Sequence, residues 1–249
     1  VGRFELLEVL GQGGSGVVYR ALDPQTSREV ALKVVCAPST DKEQRFNTEV
    51  DALSRVNHPN VVRLYASGRL GHDRYLVMDL VAGESLDRRL AREGALDPSA
   101  AASLVATLAD AVAAAHAEGL VHRDLKPGNV VLRASDGRPV LVDFGLAKDL
   151  STAVGPTQTG ALMGTPGFWA PEQARGQRGE VGVATDVFGL GGILYACLTT
   201  HAPFVGQSLA EVVQRTVEHS PAPVSEFQPV PRWLERACMR CLSKPPEDR

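Results

Sequence analysis

An excess of charge of either sign is the first thing this sequence lacks. Its 26 Lys and Arg stand against 29 Asp and Glu, leaving a net charge of −3 over 249 residues. That balance supplies no electrostatic footprint for nucleic acid or an anionic membrane, so neither is an expected partner. Cysteine is scarce as well. Cys36, Cys197, Cys238 and Cys241 form no disulfide framework, which points to a reducing compartment and a cytoplasmic location. Cys238 and Cys241 have the spacing of a metal or redox pair but no second pair to complete a site. Trp233, Leu234, Ala237, Cys238, Cys241 and Leu242 recur at helical intervals, which assigns them to core packing. Long apolar runs are also missing: the longest, Val187 to Leu198, falls short of the ~18 residues that cross a bilayer. The opening "VGRFELLEVL" has neither a starting Met nor a signal-peptide pattern, and the chain stops abruptly at "KPPEDR", as a domain cut from something longer would. Internal repeats and low-complexity tracts are absent.

What is present begins with 44% hydrophobic residues, enough to build one large domain or two tightly joined lobes. Gly11-x-Gly13-x-x-Gly16 fits two unrelated nucleotide-binding designs. In one the glycines end a strand and open a helix; in the other they tip a hairpin lying over ATP phosphates. Val17, Val18 and Tyr19 follow Gly16 where the first design needs helix-forming residues, so the hairpin is expected. "VVYRAL" and "EVALKVV", separated by the turn residues "DPQTS", give three antiparallel strands between Phe4 and Val35. Phe46, Val50, Leu53 and Val56 space a helix over 41–56, with Asp41 as its cap. "NVVRLYASG" and "RYLVMDLV" complete a five-stranded lobe, and Ala82-Gly83 reads as a linker. From Pro98 to Ala117 an Ala-rich helix opens a mainly helical region. Within that region Asp136-Gly137 turns a hairpin, and "DVFGLGGILYACL" is apolar all round, as a central buried helix would be.

"VHRDLKPGNVVL" gathers Asp124, Lys126 and Asn129 in one loop, and Asp143-Phe144-Gly145 follows fourteen residues after Asn129. With the glycines, Ala31-Leu32-Lys33, Glu49 and Ala170-Pro171-Glu172 in the same order, the chain resembles the eukaryotic-like serine/threonine protein kinases along its whole length. The ending "APEQ", with "TQT" upstream, resembles the bacterial members. The resemblance implies an α+β fold of two lobes: a five-stranded antiparallel N-lobe with one main helix over 1–81, a hinge at about 79–83, and a helical C-lobe over 84–249 whose final helix is missing.

It also implies an ATP-dependent enzyme that phosphorylates Ser or Thr in proteins, within a bacterial signalling pathway. Gly11, Gln12, Gly13, Gly14, Ser15 and Gly16 would cover the phosphates, where a missing Cβ allows close backbone approach. Lys33 would hold the α- and β-phosphates and pair with Glu49; Glu43, on the same helix, fits the family spacing less well. Asp143 and Asn129 would ligate Mg²⁺, or Mn²⁺ in its place. Asp124 would be the catalytic base, and Lys126 would neutralise the γ-phosphate. Leu10, Val18, Ala31 and Val131 would enclose the adenine, with the backbone of Asp79 and Val81 at its edge and Met78 behind it. Leu53, Leu64, His122 and Phe144 would form an internal stack anchored by Asp186, which makes His122 structural, and Arg249 would pair with Glu172.

A pseudokinase would carry damaged motifs, and these are intact. Antibiotic phosphotransferases would lack "GTPGFWAPEQ". Gly128 stands where basophilic members carry an acid, so an arginine upstream of the acceptor is expected to gain little, and Trp169 and Leu162 favour a bulky apolar residue after it. Thr157 and Thr159 are expected sites of autophosphorylation, which would involve self-association and bring phosphate to Arg123 and Lys148. Ala161 occupies the position where many animal relatives carry their activating threonine.

Overall fold

The computed structural model describes residues 1–13, 16–35, 40–145 and 166–249. Five antiparallel strands form the first lobe: β1 (Glu5–Gly13), β2 (Gly16–Asp23), β3 (Arg28–Val35), β4 (Leu64–Leu70) and β5 (Asp73–Asp79), in the order β1-β2-β3-β5-β4. β3 lies in the middle and is covered on both faces, which is why its sequence is an almost continuous apolar run. Alternation sends Val30 and Leu32 into a small outer cluster with Phe4, Ala21 and Val77. Ala31 and Lys33 point the other way. Helix α1 (Thr40–Arg55) closes that inner side, sharing a core with Leu76 and Met78 through Phe46, Val50 and Leu53.

The hairpin at Asp136-Gly137 is present as β7 (Val130–Arg133) and β8 (Pro139–Leu141), with Gly137 at φ +71°. A third strand, β6 (Gly83–Ser85), pairs with β7 and occupies part of the expected linker. Helix α2 (Leu86–Glu93) follows directly. The two lobes are stitched here: Leu141 N–H donates to the Asn60 carbonyl at 2.8 Å, and Val62 N–H to that of Leu141 at 2.9 Å. β4 starts at Leu64, four residues after Asn60, because Asn60 to Val62 are committed to this junction.

Helix α3 (Pro98–Ala117) has the bounds that the sequence signals. The Asp97 carboxylate accepts from Ser99 N–H at 2.8 Å, Pro98 needs no partner in the first turn, and Gly119 takes φ +76° just past the end. An 18-residue window within its twenty residues has a mean hydropathy of 1.4, enough by length and composition to cross a membrane, which corrects the expectation that no apolar stretch is longer than Val187 to Leu198. Here α3 packs on α5 and β8 through Leu108, Ala111 and Val112.

The chain continues through α4 (Pro171–Ala174), α5 (Val183–Thr199), α6 (Leu209–Glu218) and α7 (Arg232–Cys241). Helix α5 is the buried centre, with Phe188, Ile193 and Leu198 fully enclosed. Each such side chain contributes about 1.5–3 kcal/mol by leaving water. A Cβ on Gly189 would stand 2.6 Å from that of Leu125, so glycine is what lets the loop before β7 lie on this helix. Cys238 is buried against α5, its thiol 3.7 Å from the Gly191 carbonyl, in the packing role read from the sequence.

Candidate active site

The inner face of the sheet supplies the upper wall of a cleft. Cross-strand register places Val18 opposite Lys33, Lys33 opposite Leu76, and Ala31 opposite Met78, so these side chains share one face. Gly11, Gln12 and Gly13 run along the exposed end of β1, and Leu10 is 44% exposed. Gly16 pairs with Gly13 at φ +129°, and a Cβ there would lie 2.0 Å from the Val34 carbonyl oxygen. Only glycine fits that turn. Gly14 and Ser15 lie outside the described residues, as do Lys148, Thr157, Thr159, Ala161 and Leu162.

The lower wall is the loop after α3. Asp186, in the first turn of α5 and 1% exposed, accepts from the backbone N–H of His122 at 2.7 Å and of Arg123 at 2.8 Å, and meets His116 Nε2 at 2.8 Å. One buried carboxylate thus fixes the loop's path. Arg123 is held at φ +62° and Asp143 at φ +61°, a conformation that costs a non-glycine residue on the order of 1–3 kcal/mol and persists only where its surroundings impose it. His122 Nδ1 accepts from Asp124 N–H at 3.2 Å, its ring lies 4.5 Å from that of Phe144, and burial pushes its pKa down. The imidazole is neutral and structural, as expected.

Asp124, Lys126 and Asn129 converge. Asn129 Nδ2 donates to the Asp124 carbonyl at 2.8 Å and to its carboxylate at 3.1 Å, while Lys126 Nζ lies 3.4 Å from the same carboxylate. With Nδ2 committed, Oδ1 is the Asn129 atom left to face a cation. Val142 N–H donates to the Asn129 carbonyl at 2.9 Å, which brings the neighbouring Asp143 alongside. One amide oxygen and one carboxylate are hard donors that suit Mg²⁺.

The ion pairs differ from expectation at one point. Lys33, 4% exposed, pairs with Asp143 and not with Glu49. Glu49 instead accepts from the Arg123 guanidinium at 2.7 Å, with Arg45 at 3.3 Å. Two nearly enclosed cations and two carboxylates divide by proximity: the strained backbone at 143 turns its carboxylate to Lys33, and α1 carries Glu49 over the loop. Glu43 is engaged elsewhere, by Arg69 and Arg74 at the edge of the sheet. Glu49, not Glu43, is therefore the α1 acid that reaches the site.

At the hinge, Asp79 N–H donates to the Arg63 carbonyl at 3.0 Å, so its own carbonyl is the backbone group left to meet a ligand. The Asp79 carboxylate accepts from the Tyr65 hydroxyl, a bond that raises the pKa of the phenol. An open cavity of about 590 Å³ is lined by Asp79 to Ala82 and by Arg133, Ala134 and Ser135, and Lys33 is not among its lining residues. Val131, on β7 opposite Ser85, is half-buried below the hinge.

Below the loop, Arg249 and Glu172 form the expected pair, bidentate at 2.7 and 2.8 Å, with the Thr185 hydroxyl donating to Glu172 at 2.7 Å. Sequence reasoning missed Gln173. Its Nε2 donates to the Arg123 carbonyl at 2.8 Å and its Oε1 accepts from Ala170 N–H at 3.1 Å, so it ties "APEQ" to the residue before Asp124. His116 was missed too, since its helix-end position gave no sign of Asp186.

Comparison with known proteins agrees with this architecture. The family model described as "Protein kinase domain" matches residues 4–249. The chain is 41% identical to the serine/threonine-protein kinase PkaA of Streptomyces coelicolor, over 99% of this chain and 47% of that protein. It is 34% identical to PknB of Mycobacterium leprae, over 99% and 40%, and 35% identical to PknL of Mycobacterium bovis, over 99% and 62%. It therefore spans about half the length of the curated relatives it matches. A crystal structure of Rad53 residues 1–466 in complex with AMP-PNP superposes with a TM-score of 0.79 at 26% identity, covering 99% of this chain and 62% of that one. The match over residues 4–249, on a five-stranded sheet above a helical lobe with Asp124, Asn129 and Asp143 between them, shows that the chain belongs to the protein kinase domain family.

Proposed function

We propose that this chain is the catalytic domain of a bacterial serine/threonine protein kinase that transfers the γ-phosphoryl group of ATP to Ser or Thr hydroxyls of proteins. The observation that carries the reading is the grouping of Asp124, Lys126 and Asn129 in one loop, facing the Lys33–Asp143 pair. Leu10, Val18, Ala31 and Val131 enclose the adenine, and the backbone of Asp79 and Val81 meets its edge. Lys33 holds the α- and β-phosphates, with the backbone of residues 11–16 above them.

Asp124 orients the acceptor hydroxyl and takes its proton as the oxygen bonds to the γ-phosphorus and the bond to ADP breaks. Lys126, already beside that carboxylate, offsets the charge on the transferring group. Asn129 Oδ1 and Asp143 would hold Mg²⁺, which would supply Lewis-acid neutralisation of the phosphate oxygens. Glu49 is a positioning residue that bears on the loop through Arg123. Phosphorylation of Thr157 or Thr159 between copies of the chain would bring a second anion to compete for that guanidinium.

Incubation with γ-labelled ATP, Mg²⁺ and generic protein substrates, followed by phosphoamino-acid separation, tests the function. Label on serine and threonine supports it; label on tyrosine alone, or none, contradicts it.

A further inference from the structure

Every backbone polar group of His122, Arg123 and Asp124 has a partner. Asp186 accepts from the N–H of His122 at 2.7 Å and of Arg123 at 2.8 Å, and Gly145 N–H donates to the His122 carbonyl at 3.0 Å. Asn129 Nδ2 donates to the Asp124 carbonyl at 2.8 Å. The remaining groups, the Arg123 carbonyl and the Asp124 N–H, are opposite ends of one rigid peptide plane. Gln173 holds the first at 2.8 Å, and His122 Nδ1 holds the second at 3.2 Å, the long end of the hydrogen-bonding range.

The shorter of those two bonds comes from a side chain outside the loop, and that side chain stands on an anchored base. Gln173 lies on α4 beside Glu172, whose side chain is 1% exposed and paired with Arg249. Its Oε1 accepts from Ala170 N–H at 3.1 Å while Nε2 donates to the Arg123 carbonyl. An amide offers an acceptor and a donor on one fork; glutamate would set a carboxylate against the carbonyl, and lysine would leave Ala170 N–H without an acceptor. The plane that Gln173 grips starts at a strained residue. Arg123 keeps φ +62° only while its surroundings impose it, so a released plane has reason to turn. Turning it changes φ of Asp124 and swings the bond from its Cα to its side chain.

We propose that Gln173 is a positioning residue for phosphoryl transfer, which aims the Asp124 carboxylate by holding the Arg123 carbonyl. The inference rests on the function proposed above, in which Asp124 takes the acceptor's proton. Misplacing a reacting group by ~1 Å costs about a hundredfold in rate, so this one bond bears on kcat.

The test compares Gln173→Glu and Gln173→Met with wild type in kcat and KM for a protein substrate, in the ATP dissociation constant and in the urea midpoint. Gln173→Glu keeps the acceptor for Ala170 N–H and loses the donor to Arg123, whereas Gln173→Met loses both, so Gln173→Glu decides if the other fails to fold. In each, kcat is expected to fall about ten- to hundredfold, while the ATP dissociation constant stays within about threefold. In an Asp124→Asn background the same substitutions should cost less than about twofold, because no carboxylate is left to aim. A role confined to folding would lower the urea midpoint and cost the same factor in both backgrounds. A kcat for Gln173→Glu within about twofold of wild type, or equal losses with and without the Asp124 carboxylate, overturns the positioning role and leaves the function standing. Failure of the wild type to phosphorylate any protein overturns the function and the positioning role together.

Discussion

Removing Arg249 should destabilise the protein strongly, because it breaks a fully buried ion pair. The side chains of Arg249 and Glu172 are 0% and 1% exposed, and Arg249 also donates to the carbonyls of Ala184 at 3.0 Å, Ser243 at 2.9 Å and Lys244 at 2.8 Å. Arg249→Met removes the cation and leaves the buried Glu172 carboxylate with no counter-charge, held only by a backbone N–H and the Thr185 hydroxyl. Breaking one half of such a pair costs about 3–5 kcal/mol, whereas replacing both halves by apolar residues is far milder. For a chain of this size that loss lowers Tm by roughly 6–20 °C. Urea titration followed by the fluorescence of Trp169 and Trp233 reads it as a lower midpoint at unchanged slope. The double variant Glu172→Leu, Arg249→Met should recover more than half of the loss. A single-variant cost below about 1 kcal/mol, or two losses that simply add, would refute the reasoning. Burial pushes the Glu172 carboxyl upward, but the Arg249 guanidinium and the Thr185 hydroxyl outweigh it and hold its pKa below the usual range. A depressed folded pKa gives stability that is present above the ordinary value of 4.5 and lost as pH falls through the folded one. The gap between wild type and Glu172→Gln should therefore close on acidification.

Two further outcomes are expected. Gly16→Ala should cost about 1–3 kcal/mol in the same titration and weaken ATP binding, because its Cβ meets the Val34 carbonyl at a φ that alanine resists; unchanged stability would show that the turn relaxes freely. Burial, with Arg249 and Arg175 nearby, pushes the Lys244 ammonium down to about 8 from 10.5, so the unfolded chain holds more protons between those values and stability relative to Lys244→Met should rise as pH climbs from 8 to 10.5. A flat or falling difference would mean that the Thr216 carbonyl, 2.6 Å away, and the Phe204 ring, 3.9 Å away, keep the ammonium charged throughout.

How much of this could be read beforehand depends on how local each signal is. Helix α3 carries its own punctuation in Asp97, Pro98 and Gly119, and its bounds were legible to the residue. Helix α2 has only Leu86 and Leu90 to bury in eight residues, too little periodicity to separate it from a loop, and it escaped notice. Spacing identified Lys33, Glu49, Asp124 and Asp143 but not their pairing. Which carboxylate a buried lysine takes is decided by the strained turn at Asp143 and by how far α1 leans toward Arg123, and both are tertiary properties. The same holds for Gln173 and His116, whose partners lie 50 and 70 residues away in sequence.

The account turns on Asp124 as the group that takes the acceptor's proton, and the most direct measurement compares phosphoryl transfer with nucleotide binding in Asp124→Asn. Asparagine keeps the shape of the side chain and, in this loop, can still meet Asn129 and Lys126, while the proposed function assigns ATP to Lys33, Asp143 and the sheet above. Transfer from labelled ATP to a protein substrate is expected to fall by about two to four orders of magnitude, the range that a positioned base contributes. The ATP dissociation constant, measured by calorimetry on the same preparation, should stay within about threefold of wild type, a difference under 1 kcal/mol. Transfer at the wild-type rate by Asp124→Asn, with ATP bound as tightly as before, would contradict the account.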